Sequence, residues 1–135
     1  MVLKTYTRMF TTDIEKTLRT LKAVHGTDPH LTFPFGDWTL VAIGDVLVVG
    51  GTEETLAPIR GSFGPWIVPD IEATRGKLLQ LGGEIEREIE EVPTGRMMYA
   101  RHSDGTLVEY VEWAPELVER HILSPLRSGK TGSQI

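Results

Sequence analysis

Cysteine is absent from this 135-residue chain, which excludes disulfides and thiolate metal sites and leaves the redox compartment undetermined. Long apolar runs are missing as well. None approaches the ~20 residues that span a bilayer, and no charged-then-apolar leader opens the chain, so the expectation is a cytoplasmic protein with no membrane partner. Basic residues are in the minority. Fourteen Lys and Arg face nineteen Asp and Glu, a formal net charge of −5 that repels phosphate backbones, and no basic patch overrides it. Nucleic acid is therefore not an expected partner. What is left, 40% hydrophobic and 24% charged, suits one globular domain with a buried core.

The chain repeats itself. Asp13-Ile14-Glu15-Lys16-Thr17 returns as Asp70-Ile71-Glu72-Ala73-Thr74, and Gly26 returns as Gly83, both 57 residues on. A helix start and a helix stop at constant spacing mark two copies of one supersecondary unit, and a ligand site is expected where the copies meet. In the first copy, Leu3 to Thr11 reads as a strand. A helix follows, capped by Thr12 or Asp13, with Ile14, Leu18, Leu21 and Val24 as its apolar stripe. Three short strands come next, at 30–35, 38–43 and 46–49, with turns at Gly36-Asp37 and Gly44-Asp45.

Residues 53–62 read as a connector, with Pro58 and Gly61 unfavourable to regular structure. The second copy opens with a strand at 63–68, where Gly64 and Pro65 suggest an edge or bulged position. Asp70 caps a helix burying Ile71, Thr74, Leu78 and Leu81, and strands at 84–92, 96–101 and 106–113 complete the unit. The order is βαβββ twice, an α+β arrangement in one domain over 1–126 made of modules 3–52 and 62–113. A short helix is expected at 115–123 and a flexible tail at 127–135.

The paired βαβββ units, the Asp-Ile-Glu-x-Thr helix starts, the Leu81-Gly82-Gly83 stop and the stretch from Gly95-Arg96 to Asp104-Gly105-Thr106-Leu107-Val108-Glu109 resemble the vicinal oxygen chelate superfamily over residues 4–113. Glyoxalases, bleomycin and fosfomycin resistance proteins and extradiol dioxygenases belong to it. The resemblance implies curved sheets around a cleft, usually in a homodimer, and in metal-dependent members one divalent ion held by His or Gln and Glu on the first and fourth strands of each unit. Carried onto this chain, those positions are Tyr6, Phe63, Val48 or Val49, and Glu109. One carboxylate, a phenol, a phenyl ring and a valine do not make the three or four O and N ligands an ion needs, so no metal and no other cofactor is expected. His25, His30, His102 and His121 are scattered along the chain, and solvent-exposed structural roles are expected of them.

Strand alternation then reads the cleft as apolar and aromatic. Tyr6, Phe10, Phe63, Ile67, Leu107 and Val111 line it, with Arg8 and Glu109 as its charged groups and Tyr99 and Arg101 on one face of a neighbouring strand. Glu109 is either an acid/base in a dry cleft or the partner of Arg8 in an ion pair that fills the vacated metal position. Arg8 either pairs structurally or receives an anionic ligand group. Trp38 and Trp66 either stack on planar ligands or are buried, and the Glu-rich stretch from Glu84 to Glu91 reads as a solvated sheet edge.

Three functions follow. The first is a metal-free protein binding an apolar or aromatic metabolite. The second is a metal-independent isomerase, cyclase or lyase that uses Glu109 as its catalytic group. The third, a metal-dependent glyoxalase- or dioxygenase-like enzyme, is opposed by the residues themselves.

Overall fold

A computed structural model describes residues 1–128. It contains two open sheets. The four-stranded sheet is built from β2 (Thr7–Thr11), β3 (Leu31–Phe35), β4 (Trp38–Ile43) and β5 (Val46–Gly50), in the order β2-β5-β4-β3. The five-stranded sheet joins β1 (Lys4–Thr5) to β6 (Phe63–Ile67), β7 (Glu84–Val92), β8 (Gly95–Arg101) and β9 (Leu107–Trp113), in the order β1-β6-β9-β8-β7. In each module the first strand runs parallel to the fourth, and the remaining pairs are antiparallel. The duplication seen in the sequence is thus a duplication of topology.

The helices begin as the repeated residues dictate, but the second ends at left-handed Gly82, one residue before the repeated Gly83. Asp13 accepts a hydrogen bond from the Lys16 amide at the start of α1 (Ile14–His25), and Asp70 does the same with Ala73 for α3 (Ile71–Gln80). Gly26 closes α1 in the left-handed region at φ 68°, a conformation that only glycine adopts without strain.

Three sequence expectations need correction, and the open alternative for β6 is resolved as a bulge. The strand expected over Leu3 to Thr11 breaks at Tyr6, because β1 pairs with β6 of the second module whereas β2 pairs with β5 of the first. The chain crosses between sheets there and turns Tyr6 inward, leaving it 4% exposed. The connector holds helix α2 (Glu53–Leu56) and a 3-10 turn at Ala57–Ile59, nucleated by a Thr52–Thr55 capping box that outweighs Pro58. β6 is bulged between Phe63 and Trp66, as Gly64 and Pro65 suggest, but is no edge, since β1 and β9 flank it. Val24 and Leu81 are about three-quarters exposed, each at the C-terminal end of its helix, away from either core.

Two cores result. The larger lies between the sheets, where Tyr6, Leu40, Val49, Ile67, Met97, Tyr99, Val111 and Trp113 meet. The smaller lies between the second sheet and α3, around Ile71, Met98, Val108 and Tyr110. A final helical stretch runs through α4 (Pro115–Val118), a π-helical turn at Glu119–Leu123 and α5 (Ser124–Ser128), and its Ile122 reaches the larger core. Residues 127 and 128 close α5, and the rest of the expected flexible tail lies outside the described residues. No helix among the described residues is long and apolar enough to cross a membrane.

Candidate functional site

Arg8 on β2 and Glu109 on β9 come from different modules and meet between the sheets. Arg8 Nη2 donates to Glu109 Oε1, while Nη1 donates to Ser62 Oγ and to the Tyr99 hydroxyl, each at 3.0 Å. The Arg8 side chain is 2% exposed and that of Glu109 10%, so this is a buried pair, unlike the exposed ion pairs elsewhere on the surface. Burial opposes the Arg8 charge, but Glu109 and Tyr99 outweigh it and hold the guanidinium charged. Burial first and the Glu109 charge second push the Tyr99 hydroxyl up to about 12. Tyr6 moves up for the same first reason, with Asp45 adding to it. Both phenols therefore stay protonated at neutral pH.

The backbone makes this meeting possible at Gly64. Its φ is +124°, and a Cβ there would stand 2.7 Å from the Glu109 carbonyl oxygen. No other residue type lets β6 approach β9 this closely.

The vicinal oxygen chelate positions can now be tested against the geometry. Val49 faces the inter-sheet core, Tyr6 and Glu109 line one cavity, and Phe63 is 57% exposed outside it. Arg8, itself a cation, holds the carboxylate, so this donor set does not fit a divalent ion. Among the described residues no three His, Asp or Glu side chains cluster as ligands.

The cavity beside Glu109 is walled by Tyr6, Leu31, Phe33, Ala42, Val111 and Trp113. Its volume is about 30 Å³. That is room for about two waters, far below the ~300 Å³ of an ordinary ligand pocket. A second, larger space also lies between the modules and shares Phe35 with the first. This groove, of about 610 Å³, runs between Phe35, Trp38 and Ile59 of the first module and its connector and Arg87, Tyr99 and Leu107 of the second. Trp38 is fixed by its Nε1 donating to the Thr55 carbonyl at 2.8 Å, and Phe35 lies 6.2 Å from it, ring centre to ring centre.

The expected site residues therefore divide. Arg8, Tyr99 and Glu109 converge, with Tyr6 and Val111 on the adjoining cavity and Leu107 beside Tyr99 on the groove. Ile67 is wholly buried core, and the Arg8 guanidinium lies 6.0 Å from the ring centre of half-buried Phe10. Phe63 shares an outer groove with Phe10 and Trp66. Arg101 is held at the far end of β8 by Glu86 and the Gly105 carbonyl. Ser62 was not legible in the sequence, because only the folded approach of β6 to β2 brings it to Arg8. Nor were Phe35, whose place on the groove depends on how the β3–β4 hairpin lies over the second sheet, and His30, whose Nε2 lies 2.9 Å from the Tyr6 hydroxyl.

His30 and His121 add a pH dependence. Burial, followed by neighbouring positive charge, lowers both imidazoles from their ordinary 6.5. A lowered value means the unfolded chain takes up these protons first, so stability is expected to fall as pH drops through 6.5 and to be regained above it. Urea midpoints at pH 5.5 and 7.5 check this, and His30→Gln should flatten the difference.

No protein-family model matches the chain, and a search of curated proteins gave no match. Solved structures do match. An uncharacterized protein from Methanosarcina mazei is 31% identical, with a TM-score of 0.76 over 84% of this chain and 94% of that one. Methylmalonyl-CoA epimerase from Mycobacterium tuberculosis is 17% identical, with a TM-score of 0.67 over 87% and 93%. The Streptomyces coelicolor methylmalonyl-CoA epimerase in complex with 2-nitronate-propionyl-CoA is 16% identical, with a TM-score of 0.65 over 84% and 99%.

Proposed function

We propose, for a chain that belongs to one family with the Methanosarcina mazei protein and has the vicinal oxygen chelate fold, a metal-free binding protein that holds an apolar or aromatic small molecule between its two modules. The observation that carries this reading is the inter-module groove of about 610 Å³, walled by Phe35, Trp38, Tyr99 and Leu107, with Asp37, Glu54, Glu86 and Arg87 also lining it. Its size lies within the ~300–1,000 Å³ of small-molecule sites, and its aromatic walls supply contact area with little entropy to lose. Arg8 serves this site indirectly: it anchors the Tyr99 hydroxyl, and Glu109 neutralises the anchor. The carboxylate is thereby engaged in structure, which favours binding over turnover. The protein works as a homodimer in this reading, as its fold relatives in the glyoxalase group usually do.

The test is a titration of planar uncharged and cationic aromatics followed by thermal midpoint and tryptophan fluorescence. A ligand that binds the folded state raises the midpoint by mass action, and one stacked at Trp38 changes its emission. If no aromatic compound does either, this reading fails.

A second reading has one observation in its favour. Glu109 Oε1 is taken by Arg8, whereas Oε2 makes no hydrogen bond among the described residues and Glu109 lines the small interior cavity with Tyr6. Oε2 could exchange a proton with a substrate that opened that cavity, giving a metal-independent isomerase, cyclase or lyase. The two fold neighbours described as epimerases are compatible with it. Glu109→Gln separates the readings: an enzyme loses turnover by several orders of magnitude, and a binder keeps its affinity within a few fold.

A further inference from the structure

On the opposite side of the molecule, a groove of about 490 Å³ opens between the start of the chain, the β4–β5 turn and the C-terminal helical stretch. Four groups that carry or accept positive charge face it: Lys4, His30, Arg120 and His121. Only one carboxylate lines it, Asp45, which pairs with Lys4 at 2.5 Å. Arg120 makes no ion pair among the described residues. Cationic groups thus outnumber carboxylates in this groove, although the chain's net charge is −5. The rest of the lining is apolar, with Leu3, Ile122, Pro125 and Leu126 along one wall and Leu126 60% exposed.

The imidazoles are packed together. The His30 and His121 ring centres lie 5.0 Å apart, His121 meets Trp113 edge-on at 5.9 Å, and His30 stacks on Tyr6 at 6.1 Å. His121 Nε2 is buried with no hydrogen-bond partner. The charged groups acting on these rings are Lys4 and Asp45 for His30, and Lys4 and Arg120 for His121, with each ring also facing the other. Positive charge therefore predominates around both.

We propose that this groove is a second ligand site, one that takes a small amphipathic organic anion: its carboxylate on Arg120 and the Lys4 ammonium, its apolar part along Leu3, Ile122 and Leu126. The charge imbalance selects the anion, and the apolar wall selects an organic one over a mineral ion. This site is independent of the aromatic groove, from which Lys4, Arg120 and His121 are absent.

The test uses the full chain with hexanoate and inorganic phosphate as probes, each titrated calorimetrically at pH 6 and pH 8 and followed by the proton resonances of His30 and His121. Hexanoate is expected to bind, more tightly at pH 6, and to raise the titration midpoints of both imidazoles. Arg120→Gln should weaken it by about tenfold, the loss of one charge-assisted hydrogen bond, and Asp45→Asn should strengthen it. Both variants alter exposed side chains, so the fold is retained. Equal binding of phosphate and hexanoate overturns the amphipathic assignment. Unmoved histidine midpoints, or an Arg120→Gln protein that binds hexanoate as wild type does, overturn the site.

Discussion

Arg8→Met is expected to cost about 3–5 kcal/mol of folding stability, because it leaves the Glu109 carboxylate buried without its partner. It also strips the Tyr99 hydroxyl and Ser62 Oγ of their donor. The double variant Arg8→Met/Glu109→Leu should regain most of that loss, since two apolar groups of similar volume need no pairing. Urea unfolding of the wild type, both single variants and the double variant gives the coupling directly. A single variant within about 1 kcal/mol of wild type, as typical of exposed ion pairs, would show the pair to be solvated.

Trp38→Ala is expected to weaken binding of an aromatic ligand by about 30-fold, the ~2 kcal/mol that marks a buried aromatic anchor at the centre of an interface. Trp38 is half-buried on β4, and its indole also ties that strand to α2 through the Thr55 carbonyl. A stability change is therefore expected alongside the binding change. Trp38→Phe separates them: it loses the same hydrogen bond but keeps an aromatic wall, so it should restore most of the affinity. If Trp38→Phe binds as poorly as Trp38→Ala, the indole acts through the fold and the groove does not stack its ligand there.

The architecture was legible because it is written in local terms. Asp13 and Asp70, 57 residues apart, accept the hydrogen bonds that start their helices, and left-handed Gly26 and Gly82 end them, Gly82 one residue before the repeated Gly83. Alternation along the strands also put Arg8 and Glu109 in one cleft, where they meet, while Tyr99 joins them because it lies opposite Glu109 in register.

The shape of the cleft was not legible. Whether it stands open depends on how far the sheets close on one another, and here large residues from both, Tyr6, Phe33, Val111 and Trp113, bring its inner part down to about 30 Å³. The break at Tyr6 belongs to the same class. Nothing in Lys4-Thr5-Tyr6-Thr7 marks the point where a strand leaves one sheet for another, because both halves satisfy β propensity equally. Phe63, 57% exposed beside the bulge, lines the outer groove with Tyr6, Arg8 and Phe10 and not the inner cavity.

The Arg8 guanidinium, and no divalent ion, holds the Glu109 carboxylate between the modules. Calorimetric titration of the protein with manganese, nickel, iron and zinc tests it most directly, with Glu109→Gln as the control. No tight stoichiometric site is expected for any of the four ions in either protein. One ion bound tightly per chain, and lost on Glu109→Gln, would contradict it.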